Sequence, residues 1–361
     1  MGQQACVEEC AVFMKGSEST AGRVLITGAG GFIGSRLWRV FSQRRGLVCR
    51  GMLHTEDNGG RPMRRFSETV VADLLDEAAL TRACDGVDAI IHCAGPAPFF
   101  DEDDGVTVHR RMDEHLEGTR KLLNAAVACG VERFIHLSSV RAAGRPGLLV
   151  ADESWVAAPD SLFGQGKLSI EHQVLTTARS TGMAAVNLRL APVYGHGCGG
   201  DIGWLIDAVR AGWMPPLPET HGRHSIVHVS DVIDAVYTVL TDARAYGKTY
   251  IVTHGVAHSG AEIFDAVRAT LGRKPARWRV SERWLHRAGR WGDGLQRLLR
   301  QPMPLNSELV NRLLEVECYS AARIRAELGW EARVGLTTGL RDCIRTRAGA
   351  KARENKGAGV Q

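Results

Sequence analysis

The most regularly spaced chemistry in this 361-residue chain is a set of three glycines. The segment Thr27-Gly28-Ala29-Gly30-Gly31-Phe32-Ile33-Gly34 places them at 28, 31 and 34. It follows the apolar run Arg23–Thr27 and opens a helical stretch over Phe32–Arg45. The first glycine permits a tight turn, the second lets backbone approach a pyrophosphate, and the third lets helix pack on strand. The helix start then presents free N–H groups and a positive dipole end to phosphate. A glycine pattern alone is weak. Between a strand and a helix, at the head of a βαβ series, it predicts a dinucleotide site.

The second feature is electrostatic. Residues 273–300 carry nine basic and two acidic groups, interleaved with Trp278, Trp284 and Trp291. Residues 1–272 hold 26 basic and 31 acidic groups, so the body of the chain is acidic although the whole is +5. A basic, Trp-bearing amphipathic stretch suits an anionic membrane surface. A solvated face with Trp packed onto the body and a lid over the cofactor are the alternatives, and glycines weaken the stretch as a helix. No nucleic-acid motif accompanies it, so nucleic acid is not an expected partner. The nine cysteines are scattered, with no C-x-x-C. That speaks against a disulfide framework or a metal site and for a reducing cytoplasm. Glu8 and Glu9 stand where an export signal would need basic and then apolar residues.

The elements that must position the glycine loop alternate. Strands are expected at Arg23–Thr27, Leu47–Leu53, Glu68–Val71, Val87–His92, Arg133–Leu137 and Ala184–Leu190. Helices are expected at about 76–84, 105–129 and 164–180. This rhythm predicts an α/β fold with a Rossmann-type, doubly wound parallel sheet. After 190 the rhythm loosens, and Gly, Pro and Trp cluster in 195–222, as in a loop wall around a ligand. The expected organisation is a loose extension (1–21), an NAD(P)-binding domain (22–190, with a returning segment near 226–254), a smaller α+β substrate domain (191–345) and a disordered tail (346–361).

The T-G-x-x-G-x-x-G spacing resembles the NAD-dependent epimerase/dehydratase family, the extended short-chain dehydrogenase/reductases. Further likenesses run over most of 22–345. Val71-Ala72-Asp73-Leu74 resembles the acidic motif whose Asp contacts adenine, and His92-Cys93-Ala94-Gly95 the cofactor wall. Gly118-Thr119-Arg120-Lys121-Leu122-Leu123 is similar to the G-T-x-x-L-L helix, and Phe134–Ser139 to the strand carrying a catalytic Ser/Thr. Arg189–Gly195 resembles R-x-x-x-V-Y-G, and Val227–Asp231 resembles V-H-V-x-D. The resemblance implies NAD or NADP held by Gly28, Gly31, Phe32, Ile33, Gly34, His54, Asp73, Leu74, Cys93, Ala94, Gly95, Lys167 and Pro192. Neither an acid nor an Arg ends the second strand, where Leu53 and His54 stand. Arg61, Arg64 and Arg65 follow and could meet a 2′-phosphate or form a solvated face, so NAD and NADP both stay open.

Family chemistry uses Ser/Thr, Tyr and Lys, with Tyr as the proton-transfer group. Here the Y-x-x-x-K motif is matched by Phe163-Gly164-Gln165-Gly166-Lys167, so the Tyr position holds Phe163. No Tyr precedes Tyr194. Ser139 matches the catalytic Ser/Thr and is a candidate substrate ligand. Val140 and Arg141 follow it, unlike the Asp-Glu of 4,6-dehydratases. Three outcomes remain: turnover with a replacement base (Ser139, His196, Cys198 or His92), binding without turnover as a pseudoenzyme, or a step needing little base help. The resemblance implies a nucleotide-diphosphate sugar as substrate and a homodimer as assembly. Its diphosphate Arg falls at His224, beside Arg223, and an Arg fork grips phosphate better than a His. His228 is expected to order the site from behind.

Overall fold

The computed structural model describes residues 22–54, 68–96, 105–299 and 305–345. The extension 1–21, the tail from 346, and Arg61, Arg64 and Arg65 lie outside them. Seven strands form one sheet: β1 (Gly22–Thr27), β2 (Leu47–Leu53), β3 (Glu68–Val71), β4 (Ala89–His92), β5 (Arg133–Ser139), β7 (Ala184–Leu190) and β10 (Lys248–Val252). Their order is β10-β7-β5-β4-β1-β2-β3, and every pairing is parallel. The order reverses between β1 and β4, whose register sets Thr27 beside His92. Ligands of open α/β sheets bind at the carboxyl ends of strands at such a reversal.

Burial of both faces is why these strands read as continuous apolar runs. On one face lie α2 (Glu77–Cys84), α3 (Gly105–Ala128) and α4 (Leu162–Thr181), which bury Leu80, Leu122, Leu123, Ile170 and Val174. On the other lie α1 (Gly34–Phe41) and α6 (Val229–Thr241), through Leu37, Trp38, Val232 and Val236. α1 begins at Gly34 and ends at Phe41, inside the helical stretch expected over Phe32–Arg45, because the glycine loop turns through Ile33 first.

A second core gathers Leu205, Ile206, Phe264, Leu285, Val310 and Leu340. It joins α5 (Gly200–Ala211), α7 (Gly260–Thr270), α8 (Glu282–Leu299), α9 (Ser307–Leu314) and a helical segment at 336–345. α10 (Ala322–Leu328) returns to the large sheet beside β10. Two-residue strands stitch the halves: β8 (Val193–Tyr194) pairs β9 (Val227–His228), and β6 (Val150–Ala151) pairs β11 (Cys318–Tyr319). Residues 282–299 of the basic stretch are helical despite three glycines. At Gly292 a Cβ would stand 1.8 Å from the Leu305 carbonyl, and at Gly289 3.1 Å from that of Asn306. These glycines let α8 close on the chain before α9, a packing role that propensity does not reveal.

Candidate functional site

β1 delivers the chain to Gly28, whose φ of +63° suits a residue without a side chain. A Cβ there would also stand 2.8 Å from the backbone of Ala94, and one at Gly34 2.2 Å from the Gly28 carbonyl. The turn is tight on both counts. No side chain caps the N-terminus of α1; the Ser35 and Arg36 N–H groups donate to the Gly31 and Ile33 carbonyls, which leaves the amides of Phe32, Ile33 and Gly34 to face an anion. Arg36 lies one turn in, its guanidinium over the Phe32 ring and bonded to the carbonyls of Phe32 and His196. The loop thus fits a pyrophosphate, and the residues that would meet it are Gly28, Gly31, Phe32, Ile33 and Gly34.

Behind this loop runs a buried hydrogen-bond chain whose direction follows from donor counting. Thr119 gives its only hydroxyl hydrogen to the His115 carbonyl at 2.8 Å. Its oxygen, 3.0 Å from His92 Nε2, therefore accepts. His92 then carries its proton on Nε2, and Nδ1 accepts from the Thr27 hydroxyl at 2.8 Å. Thr27 in turn accepts from the Ala94 N–H at 3.2 Å. The chain pins the Ala94 backbone against the glycine loop. Burial drives the His92 pKa down to about 3, with a further push from Lys167, so the imidazole is neutral.

His92 stacks between two more buried imidazoles, His115 at 5.6 Å and His136 at 5.8 Å between centroids. Burial and the Lys167 charge push both well below the ordinary histidine range. Lys167 Nζ lies 3.4 Å from His115 Nε2 and 3.4 Å from the Leu137 carbonyl. The ammonium can only donate, so His115 Nε2 accepts and its proton sits on Nδ1. Desolvation lowers Lys167 to about 8, against the opposing pull of Glu171 and Cys93. Phe163, one turn earlier on α4, turns its ring to the same amine at 5.9 Å. Ser139 ends β5, two residues beyond the Leu137 carbonyl, and its oxygen accepts the Arg141 N–H at 3.3 Å. One turn after Lys167, Glu171 is gripped by Arg189 at 2.8 Å and by the Ser138 hydroxyl at 2.5 Å. This ion pair is buried on both sides.

The NAD dependent epimerase/dehydratase family model matches residues 24–253, from β1 through β10. The chain belongs to that family. A 3-beta-hydroxysteroid dehydrogenase of Mycolicibacterium neoaurum is 26% identical over 344 residues, covering 90% of each chain. A UDP-glucose 4-epimerase of Vibrio cholerae is 24% identical over 252 residues, 69% of this chain and 75% of that one. The solved UDP-glucose 4-epimerase of Thermus thermophilus in complex with NAD superposes with a TM-score of 0.67 at 24% identity, covering 91% of this chain and 99% of that one. The family model and the glycine cradle together make NAD(P) the cofactor of this family member.

Local contacts hold the other residues expected to meet the cofactor. Asp73 Oδ2 lies 3.6 Å from His54 Nδ1 at the end of β2, and Asp73 Oδ1 accepts the Leu75 N–H. Leu74 abuts Gly118 on α3, Gly95 turns against the His115 ring, and the Pro192 carbonyl joins the Val227 N–H. Cys93 follows His92, its thiol pushed well above its usual range by burial. The His196 carbonyl accepts from Arg36, whose guanidinium lies over Phe32 of the glycine loop. The charged neighbours of His196 are Arg36, Asp342, Arg39 and Arg345, on the α1 side. Cys198 is buried with its sulfur 3.3 Å from that of Cys343. Arg223 is paired with Glu262 at 2.5 Å, and His224 is held in backbone bridges to His258 and Glu317. His228 is buried, caps α6 through the Ser230 N–H and meets the Tyr194 ring edge-on.

Sequence reasoning missed His115, His136, Thr27, Thr119 and Glu171. The Lys167–Glu171 spacing of four was a readable sign, since it sets both on one helix face. The histidine stack was not readable, because it joins β4, β5 and α3 in space.

Proposed function

We propose that this protein is an NAD(P)-linked oxidoreductase acting at a carbinol or carbonyl carbon, with Lys167 carrying the proton. The observation behind this reading is the buried Lys167 amine, held by Leu137 and His115 beside the cofactor wall with its pKa lowered to about 8. Phe163 takes the place of the family Tyr and has no proton to exchange. In the reductive direction the Lys167 ammonium gives a proton to the substrate oxygen and becomes an amine. In the oxidative direction the amine takes the hydroxyl proton and becomes an ammonium. Ser139 keeps a hydroxyl hydrogen to orient that oxygen. Bound NAD(P) supplies the hydride exchange.

The substrate in this reading is an uncharged hydroxyl or oxo compound. Arg223 is paired with Glu262 and the His224 ring stands 3.3 Å from the Leu313 carbonyl, so a diphosphate would have to displace these partners. The hydroxysteroid dehydrogenase aligned over 90% of the chain supports the same class. The second reading is a nucleotide-diphosphate sugar, favoured by the UDP-glucose 4-epimerases among the relatives. It requires Arg223 to leave Glu262. The test is purified protein with NAD or NADP against a panel of hydroxy- and oxo-cyclic compounds, 3-oxoacyl compounds and UDP-sugars. Cofactor-dependent product on the uncharged set is expected. Product on UDP-sugars alone transfers the assignment to the second reading. Bound cofactor with no product on either overturns both and leaves a binding protein.

A further inference from the structure

We infer that α8 is a peripheral membrane-docking helix that seats on anionic lipid. The helix divides into three arcs when its residues are laid out at about 100° each. Leu285 and Gly289 face the second core and are buried. The adjoining arc carries Trp284, Trp291, Leu295, Leu298 and Leu299, whose exposures are 48%, 82%, 43%, 79% and 50%. The opposite edge of that apolar arc carries Arg283, Arg287, Arg290 and Arg297, all exposed. The apolar stripe runs roughly 22 Å at about 1.5 Å per residue. Trp278, 62% exposed, extends it into the preceding loop beside exposed Lys274 and Arg277.

An exposed apolar stripe of this length needs an occupant. Its charge selects one. Residues 273–300 carry nine basic and two acidic groups, while residues 1–272 are net acidic. No ion pair engages Arg283, Arg287 or Arg290 among the described residues. Among the described residues, then, no carboxylate of the chain covers these three guanidinium groups. Tryptophan at the headgroup boundary, leucine below it and arginine along the flank are the arrangement of a helix lying in an anionic interface. No described helix is long and apolar enough to cross a membrane, so the contact lies on the surface.

Flotation of the full-length protein with vesicles tests this directly. Phosphatidylcholine containing phosphatidylglycerol should carry the protein at low salt, with a blue shift of Trp fluorescence. Phosphatidylcholine alone should not. Trp291→Ala with Leu298→Ala should weaken binding at least tenfold, and each of Arg283→Gln, Arg287→Gln and Arg290→Gln by roughly fivefold, about 1 kcal/mol per basic residue at the surface. These positions are exposed, so cofactor binding should be unchanged and reports the fold independently of turnover. No flotation with anionic vesicles at low salt overturns the inference. So does binding that is equal in the Trp291/Leu298 variant, or a dimer in solution that this variant abolishes.

Discussion

The Phe163 ring centroid stands 5.9 Å from the Lys167 ammonium nitrogen, with both side chains on the inner face of α4. The ring offers the charge its quadrupole but no exchangeable hydrogen. Adding one hydroxyl by Phe163→Tyr should supply a phenol beside the amine with little cost to packing, since Phe163 keeps 9% of its surface exposed. A positioned acid–base group contributes roughly 10²–10⁴-fold. Steady-state kcat on the substrate found in the panel should rise by a factor within that range. An unchanged or lower kcat, with cofactor affinity intact, would show that Phe163 is not what holds the rate down.

In the proposed reaction the pH dependence follows Lys167. Its folded pKa is lowered by burial to about 8 from 10.5. Reduction needs the ammonium, so its rate should be high below pH 8 and fall as pH rises through that value. Oxidation needs the amine and should rise over the same window. Stability follows the opposite bookkeeping from a salt-bridged lysine. Between pH 8 and 10.5 the unfolded chain binds a proton that the folded chain does not, so stability rises with pH there and the burial cost is complete below pH 8. Lys167→Met should therefore abolish proton transfer while raising stability at pH 7 by roughly 1–3 kcal/mol, allowing for two lost hydrogen-bond donors. Thermal melts and pH–rate profiles read the two effects separately. A lower Tm with activity retained would refute the assignment.

The parallel sheet, the glycine loop and the Lys167 helix were legible because each rests on local spacing. Gly28, Gly31 and Gly34 must occur at fixed offsets for backbone reasons, and Ala184–Leu190 matches its expected strand to the residue. The histidine stack was hidden, because His92, His115 and His136 are dispersed in the sequence and meet only when β4, β5 and α3 assemble. Arg223 was read as available for phosphate, because nothing in the sequence sets Glu262, on α7, against it. The exposed tryptophans of α8 were legible as composition but not as a face. Gly289 and Gly292 counted against the helix locally while serving its packing.

The histidine stack should make the protein acid-labile. Burial lowers His92 to about 3 and His115 and His136 well below 6.5. For a base whose folded pKa is depressed, stability is complete above the unfolded value of about 6.5 and is lost as pH falls below it, because only the unfolded chain takes up the proton. Three such groups give a slope near 4 kcal/mol per pH unit between about pH 5.5 and 4.5. That exhausts a typical total stability of ~5–15 kcal/mol within a few units. Denaturant titrations across this window should show the slope, and His136→Gln should reduce it by about 1.4 kcal/mol per pH unit. An unchanged slope in that variant would mean that His136 is protonated in the folded protein.

The Glu171–Arg189 pair tests whether α4 is held by charge or by shape. Both side chains are buried, with Arg189 Nε and Nη2 reaching the carboxylate at 2.8–3.1 Å and Ser138 donating to it at 2.5 Å. Removing one partner strands a buried charge and should cost about 3–5 kcal/mol. Glu171→Leu and Arg189→Leu should each show that loss in urea melts. The double variant should recover most of it, because neither partner of the pair is then left as a lone buried charge, while the Ser138 hydroxyl loses its acceptor and Lys167 loses the pull of Glu171. In a double-mutant cycle the coupling should therefore exceed about 2 kcal/mol. If the pair also positions Lys167, one helical turn away, the double variant will regain stability without regaining kcat. Full recovery of both would show that Glu171 and Arg189 serve the fold alone, and additive losses would show that the pair is not coupled in the folded protein.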